Sequence, residues 1–147
     1  MLATKEIIQT LIPQRPPMVM VDSLDYQDEH ITRSSFYIEN DNLFNTNGLF
    51  SEEGMIENIA QSAALRVGWI GREKSQGGDL ISPPIGVIGA VKNFKLYRLA
   101  EVNTNINTEI VFQTEIFNAI LVYGKILQAD ELLAEVELKI FIQDQQV

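Results

Sequence analysis

The stretch from Ser51 to Ile70 constrains the fold most. Met55, Ile56, Ile59, Ala60, Ala63, Ala64, Val67 and Ile70 recur at helical spacing and trace a broad apolar face over roughly 16 residues. Ser51 stands where an N-cap belongs, and Glu52 and Glu53 follow it, where the positive end of a helix dipole favours acidic side chains. A long helix with so wide an apolar face needs apolar surface on every side that it shows in sequence. The second half of the chain offers it: Ile85 to Leu99, Asn105 to Asn118, Leu121 to Ala129 and Leu132 to Gln143 read as long strands. Alternation is clearest in Ile106, Thr108, Ile110, Phe112, Thr114 and Ile116, and in Val136, Leu138, Ile140 and Ile142. The connections at Asn118-Ala119 and Asp130-Glu131 are short enough for hairpins. The expected architecture is α+β, a long central helix wrapped by a curved antiparallel sheet, in a single domain over residues 1–147.

The preceding third adds a short helix opened by Thr4, with Ile7, Ile8, Leu11 and Ile12 on one face and Pro13 ending it. Pro13-Gln14-Arg15-Pro16-Pro17 is stiff and leads into Met18 to Asp22, a continuous apolar run that reads as a buried strand. A polar turn at Asp28-Glu29-His30 precedes a second strand over Ile31 to Ile38. Glu39 to Phe50 is loop-like and rich in Asn, with a turn pair at Asn47-Gly48, and Arg72 to Pro84 is a second loop, the least constrained part of the fold.

Composition excludes several function classes. A formal charge of −9 with only 11 Lys and Arg is the wrong sign for a nucleic-acid surface. No run of about 18 apolar residues is present, and Met1 to Leu11 lacks the pattern of a secretory signal, so a soluble cytoplasmic protein without membrane insertion is expected. With no Cys and one His, neither thiolate chemistry nor a Cys- or His-built metal site is expected, and no cofactor is called for.

Against this background Glu57 stands out, a carboxylate within Met55-Ile56-Glu57-Asn58-Ile59-Ala60-Gln61 where folding alone favours another apolar residue. Such a group is held at a boundary, paired by specific donors, or kept for chemistry. Gln61 lies one turn on and shares its helix face. Lys92, Lys95 and Arg98, with Arg72 and Lys74, form the one basic concentration, read either as a docking patch for an acidic partner or as a solvated strand face. Trp69, Phe94 and Tyr97 are read either as the lining of a binding tunnel or as core.

Two motifs resemble those of a known family. Leu11-Ile12-Pro13-Gln14-Arg15-Pro16-Pro17-Met18-Val19-Met20-Val21-Asp22 resembles the opening L-(L/I)-P-H-R-x-P-(F/M)-x-x-(V/L)-D of the 3-hydroxyacyl-acyl-carrier-protein dehydratases of the hot-dog fold. Glu57-Asn58-Ile59-Ala60-Gln61 resembles their central-helix E-x-(M/I)-A-Q. The resemblance implies a hot-dog fold and an edge-joined dimer, with each active site at the subunit interface. There a His removes the α-proton of a 3-hydroxyacyl thioester and the helix carboxylate of the other subunit helps the 3-hydroxyl leave as water. It implies a catalytic role for Glu57 and Gln61 and, at the start of the helix, substrate contacts from Asn47, Gly48 and Ser51. The His does not carry over: its position falls at Leu43 without a gap, or at Asn47 if Asn40 to Phe44 is matched to the family's N-E-x-F-F. His30, the single imidazole, belongs to a turn far from the helix start in sequence.

Three functions fit these residues. The first is a dehydratase-like protein acting on, or binding, acyl thioesters of acyl carrier protein or CoA in fatty-acid or polyketide-type lipid synthesis, with catalysis impaired by the missing His. The second is an acyl thioesterase using Glu57. The third is a catalytically silent subunit that completes a heterodimeric dehydratase with a His-bearing homologue, where a homodimer is the simpler assembly.

Overall fold

The computed structural model of the chain describes residues 1–74 and 83–143. A helix α1 (Lys5–Leu11) is followed by strands β1 (Ser23–Gln27) and β2 (Ile31–Ile38), a small hairpin β3 (Asn45–Thr46) and β4 (Leu49–Phe50), and the long helix α2 (Glu52–Lys74). Four strands complete the chain: β5 (Ile85–Leu96), β6 (Thr104–Ile116), β7 (Ala119–Gln128) and β8 (Glu131–Gln143). Six of the strands form one antiparallel sheet in the order β1-β2-β6-β7-β8-β5, across which α2 lies. This is the helix-on-sheet hot-dog arrangement that the resemblance implies.

Three sides of α2 meet three different environments. Met55, Ile59 and Ala63, spaced by four, point into the main core with Phe36, Ile106, Ile110, Val122 and Leu138 from the sheet. Ala64 and Leu65 pack into a second cluster with Ile8, Leu11, Ile12, Val21 and Leu24. So α1 and the segment after it, as well as the sheet, cover the helix. Gly68 allows this close approach, because a Cβ there would collide with the Leu11 carbonyl oxygen. The third side, with Glu57 and Ala60, is only half-buried.

The first strand differs from expectation. Met18 to Asp22 forms no strand: Met18 closes a turn with its N–H on the Arg15 carbonyl, and the first strand starts at Ser23, just after the Asp22 N–H donates to the Ser35 carbonyl at 2.8 Å. The central backbone groups of Met18 to Asp22 bond to helix side chains instead: the Met20 N–H donates to Gln61 Oε1 at 2.7 Å and the Met20 carbonyl accepts from Asn58 Nδ2 at 2.7 Å. A strand partner is unnecessary once α2 satisfies both groups.

The Asn-rich loop contains the β3–β4 hairpin, turning at Asn47 (φ 54°) and Gly48 (φ 87°), two positive φ values in succession that suit an Asn-Gly pair. Its other Asn side chains tie the loop to itself, with Asn42 Oδ1 accepting from Phe44 N and Asn45 Oδ1 from Gly48 N. The β7–β8 hairpin turns at Ala129 and Asp130, one residue before the expected place. Arg72 to Lys74, expected in a loop, are the last turn of α2, and residues 75–82 of that loop lie outside the described residues. The alternation in β6 holds for Ile106, Thr108 and Ile110 and ends at a bulge between Phe112 and Thr114, past which Ile116 is exposed.

Candidate functional site

Glu57 and Gln61 meet as their spacing predicts. Gln61 Nε2 donates to Glu57 Oε1 at 2.9 Å and to the Met18 carbonyl at 2.8 Å, while Gln61 Oε1 receives the Met20 N–H. Gln61 is buried and both ends of its carboxamide are engaged, so it acts as a fixed donor that orients the half-buried carboxylate. One oxygen of Glu57 is held in this way. Asn58, the next residue, turns to the opposite purpose: fully buried, it links the Met20 carbonyl to Thr108 on β6, whose hydroxyl donates to Asn58 Oδ1.

Glu57 lines a recess of about 270 Å³ together with Gln14, Ala60 and Ala64, and with Gly86, Val87, Ile88 and Ile140 from β5 and β8. Its walls are small or aliphatic, apart from two polar residues. It lies between the open side of α2 and the outermost strand of the sheet, β5, which bonds to β8 alone. Sequence reasoning missed Gln14, whose only signal was its place inside the P-Q-R motif.

The other expected site residues stand apart from this recess. Ser51 caps α2, its Oγ accepting from Gly54 N at 3.4 Å and its carbonyl from Met55 N at 3.0 Å. Asn47 and Gly48 form the hairpin turn ahead of it. None of the three lines the recess with Glu57 in one copy of the chain. His30 is exposed in the β1–β2 turn. The residue beside it, Glu29, offers its carbonyl to Arg66, which sits nine residues along α2 from Glu57 and so about 14 Å away along the helix axis. The single imidazole is not among the residues that line the recess with the carboxylate.

The β1–β2 turn is built around charge. Asp28 accepts from Tyr26 Oη at 2.6 Å and from the His30 and Ile31 N–H groups at 2.8 and 2.7 Å. These donors, the Tyr26 hydroxyl first, hold its carboxyl down at about 2. Buried Arg66 donates to the Asp28 and Glu29 carbonyls and to Thr32, and stacks over Phe112; burial lowers its pKa, opposed by Asp28. This assembly locks a turn to the helix.

Of the basic concentration, Arg98 alone makes an ion pair among the described residues, and Lys92 and Lys95 are exposed. Lys92 and Lys95 lie opposite Glu137 and Glu135 on β8, and Arg98 pairs with Glu131 at 2.8 Å. Of the aromatic trio, Phe94 packs against the main core and Trp69 against the α1 cluster, while exposed Tyr97 bonds to Glu135. No group of His, Cys, Asp and Glu suited to a metal ion occurs among the described residues, and no described helix is long and apolar enough to cross a membrane.

By sequence alone the chain matches none of the curated proteins. Solved structures match it in fold. A chain of the dehydratase heterocomplex ApeI:P from Xenorhabdus doucetiae superposes with a TM-score of 0.81 at 15% identity, covering 94% of this chain and 91% of that one. The E. coli PaaI protein from the phenylacetic acid degradation operon gives a TM-score of 0.61 at 11% identity, covering 81% of each chain. A hypothetical thioesterase with coenzyme A from Streptococcus pneumoniae TIGR4 gives 0.60 at 10% identity, covering 85% of this chain and 88% of that one. At the level of sequence the profile of the ApeP-like family, described as ApeP dehydratase, matches residues 6–147. With the match running over nearly its whole length, and its fold and motif residues in place, the chain belongs to the ApeP-like dehydratase family of hot-dog proteins.

Proposed function

We propose that this chain is the carboxylate-bearing subunit of a 3-hydroxyacyl-thioester dehydratase, completing its active site with a His-bearing hot-dog partner in the cytoplasm, in fatty-acid or polyketide-type lipid synthesis. The observation that carries this reading is Glu57: held by Gln61 in a recess whose other walls, Gln14 apart, are small or aliphatic, with the chain's one imidazole outside that recess, in the exposed β1–β2 turn. Dehydration needs a base for the α-proton and an acid for the leaving hydroxyl. The chain has a placed group for the second task and none for the first. A partner's imidazole brought across an interface supplies it, an arrangement in keeping with the dehydratase heterocomplex among its structural relatives. The acyl group arrives as a thioester of acyl carrier protein or CoA, with its chain against Ala60, Ala64 and Ile88. Asn47, Gly48 and Ser51, at the start of α2, contact the thioester end in the companion site of the assembly.

The test is water loss from a 3-hydroxyacyl carrier protein by the purified chain, by a His-bearing homologue from the same cell, and by the two mixed. Activity is expected to rise in the mixture and to fall about 10²–10⁴-fold when this chain carries Glu57→Gln. A partner whose rate is indifferent to this chain refutes the proposal. Thiol release by the chain alone, lost in Glu57→Gln, would establish hydrolysis instead.

A further inference from the structure

The β6–β7 hairpin breaks two rules at one residue. Its turn is two residues long, Phe117 and Asn118 inside the Ile116–Ala119 pair, and of the two only Phe117 has a positive φ, 56°. That is the pattern of a type II′ turn, whose first position suits Gly, because a side chain in the left-handed region costs free energy. The same phenylalanine is 96% exposed. A residue that suits neither its turn nor the water around it marks a place kept for something other than folding.

Phe117 stands at the head of an apolar row. Directly paired residues share a face of a sheet, and the pairs Ile116–Ala119, Ala119–Phe141 and Phe141–Val87 cross β6, β7, β8 and β5. Their neighbours Ile120 and Ile140 belong to the core, so this row lies on the face turned away from α2. Ile116 reaches that face because the bulge after Phe112 shifts it from the helix side. Gly89 leaves the Phe141 ring its place there, since a Cβ would collide with it. Ile116 and Val87, at the two ends of the row, are half-exposed.

Charge sets the same face apart. Arg33, Lys92, Lys95, Lys125 and Lys139 share it with Glu109, Glu135 and Glu137, so it holds five of the chain's 11 Lys and Arg but three of its 20 Asp and Glu. The excess of acid behind the net charge of −9 lies elsewhere in the chain. Two copies therefore repel when their acidic surfaces approach and are spared that repulsion when these two faces meet. A twofold contact also swaps the ends of the row, setting Phe117 of each copy toward Val87 of the other.

We propose that this face pairs with the same face of a second copy of the chain, with Phe117 of each copy as the anchor. The contact is distinct from pairing at the free edge of β5, and it does not depend on the thioester reading. Phe117→Gly tests it, because Gly suits the turn and removes the anchor. Light scattering coupled to size exclusion, on the full-length chain at about 10–100 μM as befits a contact of modest area, is expected to give the wild type twice the mass of Phe117→Gly. Diluted below that range, the variant should melt about 3–6 °C above the wild type as the turn is relieved. Equal masses overturn the proposal. So does a halved mass in a variant that melts lower, which would make Phe117 a residue of the fold. Val91 lies opposite Leu138 on the helix side of β5, so halving by Phe117→Gly should persist when Val91→Glu is also present. Its disappearance there overturns the proposal in favour of the edge. A doubled mass that requires a His-bearing homologue, or capture by phosphatidylcholine vesicles of the wild type but not of Phe117→Gly, overturns the second copy as the occupant.

Discussion

At the residue scale the centre of α2 divides its polar side chains between two tasks. Glu57 faces the recess with buried Gln61 bonded to it, while Asn58 and Ser62 face the interior. Asn58 is the more exacting member: its amide donates to the Met20 carbonyl and accepts from Thr108, and both partners are out of reach of water. Asn58→Ala would strand a backbone carbonyl and a hydroxyl in the core, where each unpaired group costs about 1–3 kcal/mol. We expect a loss of about 2–4 kcal/mol in urea unfolding, with little change in the slope of the transition. Asn58→Asp should be at least as damaging, since it replaces the donor with a charge. Nothing in the sequence marks Asn58 as buried, because its partners lie 38 and 50 positions away. Glu57 and Gln61 were legible because their relation is local, one turn of one helix. Gln14 was not, since its meaning depends on a wall supplied by strands more than 70 residues later.

At the element scale the long pieces follow from periodicity and the exceptions have identifiable causes. The strands after residue 85 were legible from alternation, to within a few residues at their ends. Met18 to Asp22 was misread as a strand because a run of apolar residues states that a segment is buried and extended, not who receives its hydrogen bonds. The end of α2 was set too early because Gly71 and the charged residues after it lack the apolar spacing that a sequence reading follows. The β1–β2 turn carries a pH prediction. Asp28 has its carboxyl lowered to about 2 from an ordinary value of 3.8, so its donors favour the charged form in the folded state. Its contribution is present above the unfolded value and lost as pH falls through the folded one. Stability should therefore decline between about pH 4 and pH 2 less steeply in Asp28→Asn than in the wild type. Thermal unfolding measured across that interval checks this. Protection of the His30 and Ile31 amides, taken relative to the intrinsic exchange rate at each pH, should fall over the same range, since their N–H groups bond to that carboxylate.

At the scale of the whole molecule the sheet is closed at one edge and open at the other. At β1 the chain covers its own edge, through the Ala3–Leu24 bridge and α1. At β5 the described residues supply no strand beyond, and Val87 and Val91 are 50% and 44% exposed. Exposed apolar side chains on a free edge are the usual template for pairing with another chain. We expect light scattering coupled to size exclusion to show the chain associated, with itself or with a hot-dog partner of the kind proposed above, and Val91→Glu to shift it toward the monomer. An unchanged assembly in that variant would place the contact elsewhere. The outline of this architecture was legible in the sequence, but the open edge was not, because alternation reports which face of a strand is buried and is silent about its sides.

The clasp of Gln61 on Met18 and Met20 has a further consequence. The same carboxamide that grips the N-terminal segment also grips Glu57, so the carboxylate and the first twenty residues share a hinge pin. Any strain that slides the proline-rich stretch along α2, whether from a mutation in α1 or from a partner pressing on it, reaches the acidic group across one side chain. The position of the recess's acid is in this sense an output of the N-terminal arm as much as of the helix that bears it.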